Sequence, residues 1–310
     1  MRILAAIVGA ALLASTASAA EAKLKVFACF PEWASLTQVI GGDRVEVFLA
    51  TSAQENPDYA APTPGMIAAL GNADVIVCTG ADFEDAWLPT MLTKANNPKV
   101  APGESGHFLA AEFVQLLKVE EEHEHGEEAG DHQLHEEGNP HIQGDPRNMQ
   151  RVGAQLTKRL IALDPEGEAT YTENFKSFAG ELKTLIAELQ QQAAPLKGQR
   201  IAVQHEHSVY VLNWLGVVAA ATVEPEPGVP PGPDHLAEVI QAVAANQIKF
   251  IIYAGYEDPS SSKFVAEKSG IVLVKVPVTV GGSEGATDIF TFYRDTVERL
   301  LDGLSGNARS

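Results

Sequence analysis

The chain has 310 residues, 45% of them hydrophobic, and a formal net charge of −19 at pH 7. That is enough apolar material for one large domain or two of ordinary size, each with its own core. The acidic balance argues against nucleic acid or an anionic membrane as partner and suits a protein that handles cations.

The chain opens with Arg2, an apolar run and the small-residue site Ala17-Ser18-Ala19. Residues 1–20 read as a secretory signal, cleaved after Ala19 or Ala20. The apolar run is too short to span a bilayer. No cysteine lies at the cleavage site, so the expectation is an exported, periplasmic protein without a lipid anchor.

Strand-like and helix-like segments alternate from there. "LKVFACF" (24–30) is a compact apolar strand, and "EWASLTQVIGG" has helical spacing closed by two glycines. "RVEVFLA" (44–50) is the next strand, followed by a Pro-rich loop, a short helical stretch and the strand "ADVIVCTGA". From Asp145 to Leu196 apolar residues recur at three and four, which predicts a long helix or helix pair that only "LDPEG" can interrupt. Strands resume at 199–205, 216–224, 248–256 and 270–278, separated by helical patterns. The terminal "DIFTFYRDTVERLLDGL" is an amphipathic helix. This order predicts an α/β protein: two βα lobes with mostly parallel sheets joined by one long rigid helix, with a ligand site in the interlobe cleft. The boundaries are an N-terminal lobe over 23–148, including a His- and acid-rich loop at 119–138, a linking helical region over 149–195 and a C-terminal lobe over 199–308.

Cys29 and Cys78 both sit in apolar runs. Two buried free thiols are the favoured reading, with a disulfide open if the two strands are neighbours. Their spacing does not suggest a zinc–thiolate site.

Three strand-end segments carry candidate ligands. "NPDYAAPTP" (56–64) presents Asp58 on a Pro-stiffened loop, as a hard carboxylate ligand or a helix cap. "NPHIQGDP" (139–146) places His141 just before the long helical region. "AVQHEHSVY" (202–210) ends a strand at His205, with His207 two residues on. In an extended segment both share a face; in a turn entering a helix they diverge and only one faces the cleft. Imidazole is the commonest zinc ligand, so histidines at strand ends of two lobes suggest a shared cation. Trp33, Trp87 and Trp214 read as packing residues, Glu84 as a carboxylate bonded within its own lobe, and His235 as a capping or packing residue.

Taken together, these segments resemble the substrate-binding proteins of zinc and manganese ABC importers. "NPDYAAPTP" is similar to that family's DPHxxExxPS-type loop, "GADFEDAWLP" to its G-x-x-x-E-x-W segment and "NPHIQGDP" to its N-P-H-x-W-x-D-P motif. His205 to Tyr210 matches an H-x-x-x-x-Y spacing, and "EPEPGVPPGPDHL" (224–236) resembles a Pro-rich stretch of one branch. The resemblance covers nearly the whole mature chain. It implies a carrier, not an enzyme, that binds one divalent metal ion, Zn2+ or alternatively Mn2+, and delivers it to an ABC permease in the inner membrane. It further implies a monomer with no nucleic-acid partner.

Carried over by position, the resemblance implies a metal site of Asp58, His141 and His205. Asp58 stands where the family has histidine, and Gln143 where it prefers Trp. The fourth ligand is left open among Glu284, Asp288, His207 and water. The loop 119–138 carries His123, His125, His132 and His135 among nine acids and implies an accessory zinc collector, the alternative being a solvated acidic loop. A metal buffer without a permease and a metallohydrolase are the other functional readings. The second finds no H-E-x-x-H or G-x-S-x-G motif to support it.

Overall fold

A computed structural model describes residues 23–56, 60–118, 138–225 and 229–308. Asp58 and the loop histidines 123, 125, 132 and 135 lie outside the described residues, as does the leader.

The N-terminal sheet contains β1 (Leu24–Ala28), β2 (Val45–Leu49), β3 (Val75–Cys78) and β4 (His107–Leu109), in the order β2-β1-β3-β4. All its pairings are parallel. The C-terminal sheet repeats the plan with β5 (Arg200–Val203), β6 (Val218–Thr222), β7 (Phe250–Ala254) and β8 (Val272–Val276), in the order β6-β5-β7-β8, again parallel throughout. Parallel strands need crossovers. These are α1 (Pro31–Gly41), α2 (Pro64–Asn72) and α3 (Leu88–Ala95) in the first lobe. In the second they are α6 (Val209–Leu215), α7 (Pro233–Ala245) and α8 (Ser260–Ser269). The short apolar runs become central strands because both faces are covered: every residue of β3 is buried.

Two helices link the lobes, α4 (Pro146–Leu163) and α5 (Glu168–Gln192). The expected interruption falls where "LDPEG" stands, since Pro165 cannot supply the next helical N–H. The break is fastened to the first lobe: Arg44 grips Asp164 through Nε at 2.7 Å and Nη2 at 2.9 Å, and Tyr171 donates to the same carboxylate at 2.6 Å. The 25-residue α5 is the long bridge. It packs on α1 of the first lobe and on α9 (Ile289–Leu304), which itself lies against β8. Buried Phe178, Leu182, Leu185 and Leu189 on α5 join one apolar core that runs from Phe27 and Ile76 to Phe250 and Tyr293. The lobes are therefore two sheets on a shared core, and wide hinge opening would expose it.

Three local results depart from the sequence reading. Strand β4 and helix α3 were not expected, being three and eight residues long. Cys29 and Cys78 form a disulfide, not two free thiols. The register explains why: Ala28 pairs with Val77 across β1 and β3, so the two residues that follow are side by side at the strand ends.

A candidate metal site between the lobes

The N-terminal lobe contributes His141. It follows Asn139-Pro140 and opens a 3₁₀ turn, Ile142–Gly144, that runs into α4, where Asp145 caps the helix by accepting from Arg147 N at 2.8 Å. His141 is 2% exposed. Asn139 fixes its ring. Asn139 Oδ1 accepts from the His141 backbone N–H at 3.0 Å and lies 3.1 Å from Nδ1. Asn139 Nδ2 donates to the Glu206 carbonyl at 3.0 Å, so the amide cannot be reversed. An acceptor at Nδ1 puts the proton there and leaves the lone pair on Nε2. Asn139 thus orients His141 while holding the segment between His205 and His207 of the opposite lobe. Tyr210 completes the brace by donating to Asn139 O at 2.7 Å and accepting from Leu117 N at 3.0 Å.

The C-terminal lobe contributes His205 and His207, just beyond β5. His205 is the last extended residue before a 3₁₀ turn, Glu206–Ser208, that feeds α6. A turn was expected to point only one ring at the cleft, but both approach His141. The ring centroids are 6.3 Å from His141 to His205, 6.2 Å to His207, and 5.8 Å between the last two. The two differ in what backs them. His207 has Nδ1 at 2.9 Å from Ser208 Oγ and Nε2 at 3.3 Å from Glu257 Oε2, and its side chain is fully buried. His205 keeps 16% side-chain exposure and meets Glu224 Oε2 at 3.6 Å. His207 is held at both ring nitrogens and fully buried, whereas His205 keeps partial exposure.

Sequence reasoning missed both acids. Burial works to raise the Glu257 carboxyl, but the His207 charge and hydrogen bond and the Ala254 amide outweigh it, so it stays below the ordinary value. Of the acids named for the fourth position, Asp288 is occupied as the N-cap of α9 in a capping box with Thr291, and Glu284 is exposed.

Beside His141 the cleft holds a small pocket of about 20 Å3, room for about one water-sized molecule, whose wall includes Glu32, Thr51, Gln143, Tyr256 and Thr279. Glu32, in the first turn of α1, is 2% exposed and bonded by the Thr279 hydroxyl of the other lobe. Burial pushes its carboxyl up to about 7, against the lowering effect of Thr279. Gln143 also crosses the boundary, donating from Nε2 to Val278 O at 3.0 Å. Behind this wall Glu84 accepts from Thr79 N at 2.6 Å and Gly80 N at 2.8 Å, and burial raises it to about 8. That grip holds the tight turn in which Ala81 and Asp82 adopt positive φ.

The arrangement suits a cation held by imidazole nitrogens. Zinc–nitrogen bonds of 2.0–2.1 Å imply ring centroids about 5 Å apart in a tetrahedral set. The rings at 5.8–6.3 Å need to approach by about 1 Å. Among the described residues, the one trio of ligand atoms already within 4.8 Å is Cys29, Cys78 and Glu84, whose sulfurs are bonded to each other. His107 and His235 lie away from the cleft, on Val100 O at 2.8 Å and Thr222 O at 3.1 Å.

A family model described as ZnuA, zinc-uptake complex component A, periplasmic, matches residues 26–303. Curated relatives include MtsA of Streptococcus pyogenes serotype M1, an iron ABC transporter substrate-binding lipoprotein, 25% identical over 83% of this chain and 80% of its own. PsaA of Streptococcus pneumoniae, a manganese ABC transporter substrate-binding lipoprotein, is 22% identical over 91% and 89%. AdcA of Streptococcus pneumoniae, a zinc-binding lipoprotein, is 23% identical over 81% of this chain and 49% of its own. Among solved structures, a ZnuA crystal structure covers 92% of this chain and 100% of its own at TM-score 0.74 and 21% identity, which shows a shared fold.

These relatives correct one expectation. The leader implied an unanchored periplasmic protein, but MtsA, PsaA, AdcA and SsaB of Streptococcus sanguinis are all named lipoproteins. A leader reports export and leaves later anchoring open; an outward-facing location is what these relatives fit. Matched by the family model over nearly all of its described residues, the chain belongs to the ZnuA family of metal-uptake substrate-binding proteins.

Proposed function

We propose that this chain captures one divalent metal ion in the cleft between its lobes, zinc in preference to manganese, and hands it to the membrane permease of an ABC importer. The observation that carries the reading is the convergence of His141 from one lobe with His205 and His207 from the other. His141 and His205 are the proposed imidazole ligands, joined by the carboxylate of Asp58. Neutral imidazoles favour zinc over harder ions, whereas a carboxylate moves the balance towards manganese. The ion is cargo, and the chain acts as a monomeric carrier without chemistry of its own. Because α5 packs on both lobes, capture and release proceed through a small rocking of the lobes. The loop 119–138 is an accessory zinc collector through His123, His125, His132 and His135.

Zinc titration against a chromophoric chelator tests the site. His141→Ala and His205→Ala are each expected to weaken binding about a hundredfold, roughly 2.7 kcal/mol. Asp58→Ala is expected to weaken it less. Affinity should fall as pH drops below about 6.5, where imidazole protonates. Unchanged high-affinity binding in all three variants would discard the cleft. Deleting 120–137 should leave the tight site intact and remove weaker zinc; unaltered total stoichiometry would reduce the loop to a solvated acidic segment.

A further inference from the structure

The turn between β3 and α3 is a strained one. Ala81 (φ 53°) and Asp82 (φ 63°) both occupy the left-handed region, which residues with a Cβ seldom adopt. Such residues persist only where their surroundings impose them, and they gather at working sites. Here Glu84 imposes the turn by accepting from Thr79 N and Gly80 N, and the Cys29–Cys78 disulfide anchors the strand that leads into it. The Phe83 N–H closes it on Gly80 O at 3.3 Å.

What the turn delivers is the placement of one ring. Phe83 is 3% exposed and lines the cleft pocket together with His141. The two rings meet edge to face, with centroids 5.0 Å apart and planes at 64°. Phe83 also packs on Phe30 at 4.8 Å, and Phe30 on Trp87 at 6.3 Å. Phe30 directly follows Cys29, so the disulfide holds this file of rings as well as the turn. Asn139 Oδ1 already lies 3.1 Å from His141 Nδ1. A hydrogen bond at one ring atom leaves the imidazole plane able to swing about it, and an aromatic ring packed against the plane stops that swing.

We propose that Phe83 is a positioning residue for metal capture: it holds the His141 imidazole at the tilt that ligation requires before the ion arrives. The inference rests on the cleft reading above, through the assignment of His141 as a ligand. Phe83 acts through His141 and does not itself touch the ion. A ring set in advance loses little further freedom on binding, so less of the interaction is offset by ordering. Zinc draws more of its affinity from imidazole than manganese does, so loss of the buttress falls harder on zinc.

The test uses the full chain and reads Zn2+ and Mn2+ affinity by chelator competition, with the visible spectrum of bound Co2+ as the signature of ligand geometry. Phe83→Leu keeps an apolar side chain and removes the ring. It is expected to weaken zinc about tenfold, to weaken manganese less and to shift the Co2+ spectrum. Phe108→Leu controls for lost packing: Phe108 is a similarly buried ring of the same lobe, stacked on Phe113 and outside the pocket wall. It should leave zinc affinity and the Co2+ spectrum as in the parent. A cycle with His141→Ala tests the route, because a residue that acts through His141 has no further effect on zinc once that imidazole is gone. A second tenfold loss in the His141→Ala background overturns the proposal. So does equal weakening by Phe83→Leu and Phe108→Leu, which would reduce Phe83 to core packing. Unchanged zinc affinity in Phe83→Leu sinks this inference and leaves the cleft reading standing. Zinc binding that His141→Ala leaves intact sinks both.

Discussion

The central strands of the two sheets end differently, although the sheets share one topology. In the N-terminal lobe β1 runs into Cys29, whose N–H bonds Val77 O at 3.0 Å and whose sulfur is joined to Cys78 at the end of β3. In the C-terminal lobe β5 runs into Gln204, whose N–H bonds Ile252 O at 2.9 Å in the same way. Gln204 has no covalent staple. Its Nε2 donates to Asp258 O at 3.0 Å, and its Oε1 accepts from Ser262 at 2.8 Å. One wall of the cleft is cross-linked and the other is held by hydrogen bonds. The approach of about 1 Å that zinc requires is therefore expected to come from the C-terminal side, where His205 and His207 follow Gln204.

Removing the staple gives a large expected effect. The disulfide closes a 49-residue separation, for which the loop-entropy relation gives about 4 kcal/mol. Cys29→Ser/Cys78→Ser should lose about that much in denaturant unfolding. Hydrogen exchange should quicken in β1 and β3 and not in β5 and β7. Equal quickening in both sheets would show that the shared core, not the staple, sets local rigidity.

Glu84, beside the staple, sets the next effect. Its carboxyl is raised from 4.5 to about 8 by burial, so the folded chain holds a proton that the unfolded chain releases. Stability from this group is complete below pH 4.5 and is lost as pH climbs towards 8. Glu32 acts with the same sign up to about 7. The combined fall over that window should amount to several kcal/mol. Glu84→Gln costs roughly 1–3 kcal/mol at acid pH, because its NH2 faces a backbone N–H, yet should flatten the decline. A decline as steep in Glu84→Gln as in the parent would reassign it to other groups.

On the hydrogen-bonded side the expected effect is smaller. Ser262→Ala leaves the buried Gln204 Oε1 without its donor, at a cost of about 1–2 kcal/mol. If the C-terminal wall is the adjustable one, the same change should also alter zinc affinity, whereas stability loss without any change in affinity would place the adjustment elsewhere.

The alternation of apolar runs and helical spacing was enough to read two parallel α/β lobes, and "LDPEG" was enough to place the break before α5. Strand β4 escaped because "HFL" carries no periodicity of its own and becomes a strand only by pairing with β3. His141 and His205 were legible because Pro and strand-end punctuation mark them. Their supports were not, since Glu257 reaches His207 across 50 residues and Thr279 reaches Glu32 across 247. Such contacts follow from the strand order, which local pattern does not encode. A buried acid in the first turn of an otherwise apolar helix, Glu32 in "FPEWASL", was the signal available and unread.

The bridge between the lobes supplies the smallest effect and the sharpest control. Arg294 on α9 meets Glu188 on α5 at 2.9 Å, which looks like a clasp between the bridge and the C-terminal lobe. Both side chains are 46% exposed. At that exposure water screens the attraction, and ordering two long side chains offsets most of what remains. The same helices meet inside through Phe178 and Phe290, whose ring centroids are 5.6 Å apart. Glu188→Gln should thus change stability by less than about 0.5 kcal/mol and leave zinc affinity untouched. Phe178→Ala should cost about 3–5 kcal/mol, because it opens a cavity in the core common to both lobes. If the ion-pair variant proved the more damaging of the two, the lobes would be clasped from outside, and the small rocking motion assigned to a shared core would lose its basis.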